Sequence, residues 1–413
     1  MQAPAAPPPT PRPAAMIFIF ITVLIDILAF GLIIPVLPHL VEEFVGGDTA
    51  TAAWWVGVFG TVFAAIQFMA TPVQGALSDR FGRRPVILLS CLGLGLDFIF
   101  MAVANSLPWL LVGRVISALT AASFSIANAY IADVVPAEKR AKSYGLLGAA
   151  FGLGFIVGPV VGGVLGDIDV RAPFWAAAAL ALGNFLYGLF VLPESLPKER
   201  RSARFDWAHA NPVGALVLLR RYPQVFGLAA VIFLDALAHY VFPSVFVLFA
   251  DVRYEWGIKQ VGYVLALVGL CTTIVQAGLI GRIVKALGER RALLLGQCAG
   301  LAGFLLYTFA GQGWVFLLGI PVMAFWGLAN PSVQALATRD VDPREQGRLQ
   351  GAFMSLASLC GVFAPLLYAS VFAASIDPDA AWHFAGAPFA LASAIVALAL
   401  VVSERATRPR PAV

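Results

Sequence analysis

The sequence predicts an all-α membrane protein: about twelve transmembrane helices in two pseudo-symmetric six-helix bundles. Three observations predict it. Of the 413 residues, 60% are hydrophobic and 12% charged, with a mean hydropathy of +0.86; a soluble domain carries about twice that charged share. The apolar residues fall in blocks long enough to cross a hydrocarbon layer about 30 Å thick. Several short motifs also recur about half a chain later.

In order, the apolar blocks place spans at 16–38, 54–76, 85–104, 108–131, 142–166, 172–192, 224–249, 259–282, 291–311, 313–337, 347–374 and 382–403. The chain therefore divides into a proline-rich tail (1–15), a first bundle (16–192), a basic linker (193–223), a second bundle (224–403) and a short tail (404–413). With both termini cytoplasmic, 27 basic residues fall inside except Arg114, within a span, and Arg171, Arg253 and Lys259. Acidic residues show no such bias, so the asymmetry matches the positive-inside rule. The net charge of +4 is spread over short loops, which argues against nucleic acid as a partner.

The repeat is carried by four matches. Gly75-x6-Gly82 followed by Arg83-Arg84 returns as Gly281-x6-Gly288 followed by Glu289-Arg290-Arg291. Pro136-x-Glu138 returns as Pro343-x-Glu345, and Gly154 with Pro159 as Gly361 with Pro365. Leu-x-Asp26-x-Leu-Ala loosely matches Leu234-Asp235-x-Leu-Ala. All offsets lie between 206 and 209. Parallel repeats of this kind place a binding site between the bundles, near the midplane.

Asp26, Asp97 and Asp235 each sit inside an apolar run, as does Arg114. A charge at membrane depth costs several kcal/mol unless it faces a cavity, a partner or a proton, so these residues point to ion or proton handling. Asp235 and His239 are four residues apart and share a helix face, an arrangement suited to passing protons near neutral pH. His39, His209, His239 and His383 are scattered, with no metal-ligand spacing and no nucleophile motif, which speaks against an enzyme.

Three strings carry chemistry at their loops and interfaces. Gly75-Ala-Leu-Ser-Asp79-Arg80-Phe-Gly82-Arg83-Arg84-Pro85 joins the second and third spans. Its glycines suit a tight turn, Asp79 can cap a neighbouring helix, and Asp133 is the expected partner of the Arg83/Arg84 pair. Gly148-x3-Gly152-x-Gly154-x3-Gly158-Pro159-x2-Gly162-Gly163 lines the fifth span with small residues, which let helices approach and bend. Gly113-Arg114-Val-Ile-Ser sets an arginine on the fourth span, positioned to neutralise a neighbouring carboxylate.

The first string resembles the signature loop of the major facilitator superfamily. The second resembles the fifth-span motif of its drug–proton antiporters, and the third their arginine motif, with Ala118 where a glycine is usual. Within that superfamily the chain most resembles the twelve-span tetracycline–proton antiporters. The resemblance runs through Asp26 and Gly31-Leu-Ile-Ile-Pro35, Leu96-Asp97-Phe, Ala129-Tyr130-Ile-Ala-Asp133, Leu192-Pro-Glu-Ser195, Leu287-Gly-Glu-Arg-Arg-Ala292 and Gln346-Gly-x-Leu-Gln-Gly351. Two positions depart from it. The family's membrane histidine before a Gln-Ala pair is Thr272 here, ahead of Gln276-Ala277, and the ninth-span aspartate is Gly300, after Ala299.

The resemblance implies a proton-coupled antiporter in a bacterial inner membrane, exporting a drug-like molecule, with a tetracycline as one candidate, by alternating access. A proton-linked metabolite or sugar porter is the alternative. The resemblance puts Asp26, Asp97 and Arg114 at positions used for transport. Asp235 and His239, read from their shared face and the half-to-half match, and Gln276 of the Gln-Ala pair are expected to join them in a shared proton and substrate cavity. Asp79, Arg80, Arg83, Arg84 and Asp133 become a gate that latches the two halves together, and Gly154, Gly158 and Pro159 pack and bend the fifth span. No cofactor or obligate protein partner is expected; a divalent metal would arrive only as a chelate with the substrate.

Overall fold

A computed structural model describes residues 13–121, 123–202, 222, 225–339, 341–342, 345–377 and 383–408. Residues 1–12, most of the expected linker and 409–413 lie outside it. Twelve helical spans are long and apolar enough to cross a bilayer: α1 (Ile17–Phe44), α2 (Thr49–Phe81), α3 (Arg83–Val103), α4 (Leu107–Val134), α5 (Ser143–Ile168), α6 (Ala172–Val191), α7 (Phe226–Tyr254), α8 (Ile258–Leu287), α9 (Glu289–Phe309), α10 (Gly313–Arg339), α11 (Arg348–Ile376) and α12 (Ala387–Ala406). Each answers to one predicted span. Several run longer than hydropathy indicated, because polar residues such as Ser78, Asp79 and Arg80 remain helical at the end of α2.

Two glycines end the second helix of each half. Gly82 has φ +107° and Gly288 φ +76°, a region only glycine occupies without strain, so both matched loops turn at once into the next helix. The repeat seen in sequence is thus a repeat of backbone conformation.

Several spans are broken, and a downstream proline explains three of the breaks. A proline has no N–H for the carbonyl four residues earlier. Pro38 leaves Ile34 without its donor, and α1 turns at residues 34–36. Pro243 does the same to His239, beside the break at Tyr240. Pro331 does the same to Gly327, inside the 3₁₀ turn Phe325–Leu328 of α10. The breaks in α1 and α7 fall at matched positions of the two halves. In α8 the residues Ile274–Leu279 form a π-helical turn.

The two halves meet along two seams, α5 against α8 and α2 against α11. Both seams lie toward the end of the bundle that carries Asp48. A Cβ on Gly262 would strike the carbonyl of Pro159, and one on Gly57 would lie 3.0 Å from the carbonyl of Pro365. Toward the opposite end, which carries Arg83, Gly145 and Gly148 of α5 and Gly278 and Gly281 of α8 have nothing within 4 Å of where a Cβ would sit. The halves are closed together at the Asp48 end and parted at the Arg83 end.

Candidate functional site

In the first half, Asp97 of α3 is fully buried and takes a 3.0 Å ion pair from Arg114 of α4. The pairing that the arginine motif implied is therefore present. Gly113 has a steric reason to precede Arg114, since a Cβ there would stand 2.8 Å from Asp97 Oδ1. Arg114 also touches Met101 Sδ at 3.3 Å and lies over the Phe63 ring at 5.6 Å. Its guanidinium is thereby held by one carboxylate, one sulfur and one aromatic face.

Asp26 of α1 takes a different partner. Asn184 Nδ2 on α6 donates to it at 3.1 Å and to the Thr22 carbonyl at 3.2 Å, binding α1 to α6. Asn184 itself escaped the sequence reading, because a single amide in an apolar span carries no motif.

The second half builds its polar cluster where its spans lose α geometry. Gln297 of α9 donates to Asp235 at 2.8 Å. His239 ends the first segment of α7, Trp326 lies in the 3₁₀ turn of α10, and Gln276 in the π turn of α8. Trp326 stands 6.0 Å from the His239 ring, and Gln276 lies 3.7 Å from the Cβ position of Gly327. His239 is solvent-exposed although it sits mid-span, so it opens onto the space between the parted halves. Turns of this kind recur at functional sites because they turn side chains and carbonyls out of register.

Two expectations need correction, and one departure gains a reason. The acids do not line one vestibule in this conformation: Asp26 and Asp97 are buried among the helices of the first half, and in the second half His239 and Gln276 are exposed while Asp235 Oδ1 is shut off from solvent. Packing explains it: α4 closes on Asp97 through Gly113 and Arg114, and α6 on Asp26 through Asn184. Asp235 and His239 share a helix face but not a hydrogen bond; the nearer amide of Gln297 takes the carboxylate. At Gly300, Trp326 fills the space a side chain would need, its Cδ1 lying 2.6 Å from the Cβ position. An aspartate there would displace the indole.

The loop motif forms its cluster, with different partners in part. Arg83 bonds Asp79 at 2.6 Å and Asp133 at 3.0 Å. Arg84 does not join it and donates instead to the Leu189 carbonyl at 2.6 Å. Arg80 is exposed, stacked over Phe81 at 5.2 Å. The cap on α3 is not Asp79 but Glu194, whose carboxylate accepts the Arg83 N–H at 2.8 Å and lies 3.5 Å from Arg201. All these partners belong to the first half and the residues that follow α6, so among the described residues the cluster does not bridge the halves in this conformation. That absence follows from the parting of the Arg83 end.

The glycines of α5 serve two faces. Gly154 packs on Ile27, and Gly158 against Gly31 and the Leu28 carbonyl, so α1 and α5 are in backbone contact. The Pro159 ring also lies against Gly31 of α1, while its carbonyl turns the other way, to Gly262 of α8. Small residues here both tighten the first bundle and form the seam.

The model of the Major Facilitator Superfamily matches residues 19–365. The chain is 39% identical to tetracycline resistance protein class C of Escherichia coli over 361 residues, covering 87% of this chain and 90% of that protein. It is 35% identical to the class B protein of Escherichia coli over 359 residues, covering 87% and 88%. In three dimensions it resembles the human organic anion transporter MFSD10, with a TM-score of 0.70 and 24% identity over 94% of this chain and 99% of that one. The nucleoside transporter NupG, at 11% identity, gives 0.78 over 96% and 100%. With twelve spans in two matched halves and relatives at this identity along most of its length, the chain belongs to the major facilitator superfamily, in the family of the tetracycline resistance proteins.

Proposed function

We propose that this protein exports a drug-like small molecule, tetracycline-like in the first instance, from the cytoplasm of a bacterium in exchange for protons. It works by alternating access in the inner membrane with both termini cytoplasmic, as a single chain without an obligate partner. The observation that carries the reading is the pairing of a buried Asp97–Arg114 ion pair with two halves closed at one end and parted at the other. A membrane protein that needed only a fold has no use for such a pair, whose burial costs more than an apolar replacement would.

On this reading the Arg83 end faces the cytoplasm, and the conformation is the one that admits substrate from inside. Substrate enters the space onto which His239 opens, against Gln276 and Trp326. The halves then rock: the Pro159–Gly262 and Pro365–Gly57 seams part, and the Arg83–Asp133 end closes. Protons arriving from outside neutralise Asp97 and Asp235. Neutral Asp97 releases Arg114; the protonated carrier returns to the inward-facing state, where loss of the proton to the cytoplasm re-forms the Asp97–Arg114 pair. Asp79, Arg83 and Asp133 act as the gate of the closing end, with Glu194 holding Arg83's helix in place.

The position of Gly300 shapes the substrate. With Trp326 over it, the second half offers an indole face, amides and an imidazole rather than a second carboxylate. A flat aromatic molecule suits such a surface, through stacking on Trp326 and a hydrogen bond to Gln276.

A susceptibility panel in an efflux-deficient host, with tetracyclines and unrelated amphiphilic drugs, tests this. Resistance that an uncoupler abolishes is the expected result. Unchanged susceptibility to every compound, with the protein present in the membrane, would overturn it.

A further inference from the structure

At the Asp48 end the two halves bring together three side chains that sequence spacing did not connect. His39 and Glu42 belong to the outer segment of α1, Leu37–Phe44, and Asp251 to the outer segment of α7, Val241–Tyr254. One ligand atom from each lies within 4.8 Å of the others. Both segments start just past a helix break, so the prolines that re-aim them also create the meeting. We propose that His39, Glu42 and Asp251 form a divalent transition-metal site that staples the outer ends of the two halves.

The donor set fits the chemistry. One imidazole nitrogen and two carboxylates give a neutral complex with a divalent ion and leave a fourth position for water. Imidazole favours zinc, cobalt or nickel over magnesium and calcium, which take oxygen ligands. The side chains are also arranged to receive an ion. His39 Nδ1 is 3.6 Å from Glu42, while its Nε2 is shut off from solvent with no hydrogen-bond partner among the described residues. The Thr49 hydroxyl donates to Glu42 and holds that carboxylate in place, the outer-shell support a metal ligand needs. Among the described residues, the Asp251 carboxylate has no hydrogen bond or ion pair of its own.

The location gives the site a consequence. Two ligands come from the first half and one from the second, at the end that must open to release substrate. A bound ion adds a cross-link there that exists only in the closed arrangement, and so favours it by mass action. Metal on the outer face therefore inhibits the carrier.

Binding is measured on the untagged full-length protein in detergent, using cobalt as a visible-absorbing probe and zinc as competitor. One cobalt per chain is expected, displaced by zinc, with affinity falling more than about 10-fold in His39→Ala and in Asp251→Asn, at least the cost of losing an outer-shell partner. Unchanged stoichiometry and affinity in the double variant would overturn the site. In vesicles, zinc on the outer face is expected to slow export by the unmodified protein and not by Asp251→Asn. Equal inhibition of both would overturn the staple. The binding arm does not depend on the export reading, so failure of that reading and failure of the site are separable.

Discussion

Pro159 presents its carbonyl to Gly262 so closely that no side chain fits between them, and Gly57 sits as tightly against Ala369 and the Pro365 carbonyl. The two contacts are related by the internal repeat, and each joins one half to the other. They form the closed end of the carrier, and the small residues there let the helices touch and part without unlocking large interdigitated groups.

Filling one seam should bias the carrier. Gly262→Leu forces the closed end apart, at a cost of about 1–3 kcal/mol typical of overpacking. Reduced export is expected, along with greater labelling of a cysteine introduced near Asp48. Export at the unmodified rate would show that the seam does not need to close.

The Asp97–Arg114 pair should obey the asymmetry of buried ion pairs. Asp97→Asn leaves Arg114 buried without its counter-charge, costing roughly 3–5 kcal/mol, whereas replacing both by apolar residues recovers most of that loss. Thermal unfolding in detergent would rank the double variant above the single one. Neither should export. A single variant as stable as the parent would contradict the geometry.

Gly300→Asp, which restores the family's acidic residue, should lower expression and export because the indole of Trp326 occupies its place. Combining it with Trp326→Ala should restore folding. Steady-state level in the membrane is the measurement; a well-expressed single variant would mean the indole moves freely.

Glu194→Ala removes the acceptor for the first N–H of α3 and the partner of Arg201. A lost cap costs about 1 kcal/mol, so a small drop in unfolding temperature is expected. Gly82→Ala should cost more, because a Cβ would meet the Glu194 carboxylate as well as a strained φ.

Much of this was legible in the residues. Spans followed from apolar run length, and the Gly82/Gly288 turn from a repeated glycine before paired charges. The Arg83–Asp133 pair followed from a motif, as did a carboxylate partner for Arg114, though only the fold identifies that partner as Asp97. What stayed hidden was set by packing between distant segments. Asn184, Gln297 and Trp326 are single residues whose role depends on which span lies opposite. Glu194 caps a helix that begins 111 residues earlier, and no local rule links the two. The breaks at Ile34 and Tyr240 were written in Pro38 and Pro243, yet hydropathy alone reads each span as one continuous helix.

The central claim is that buried carboxylates couple proton movement to drug export. Everted membrane vesicles energised by respiration test it most directly, with tetracycline added while drug uptake and intravesicular pH are followed together. The account predicts that drug enters as protons leave, and that both fluxes vanish in Asp97→Asn at normal protein levels. Drug uptake that persists in that variant, or that proceeds with no proton movement, would contradict it.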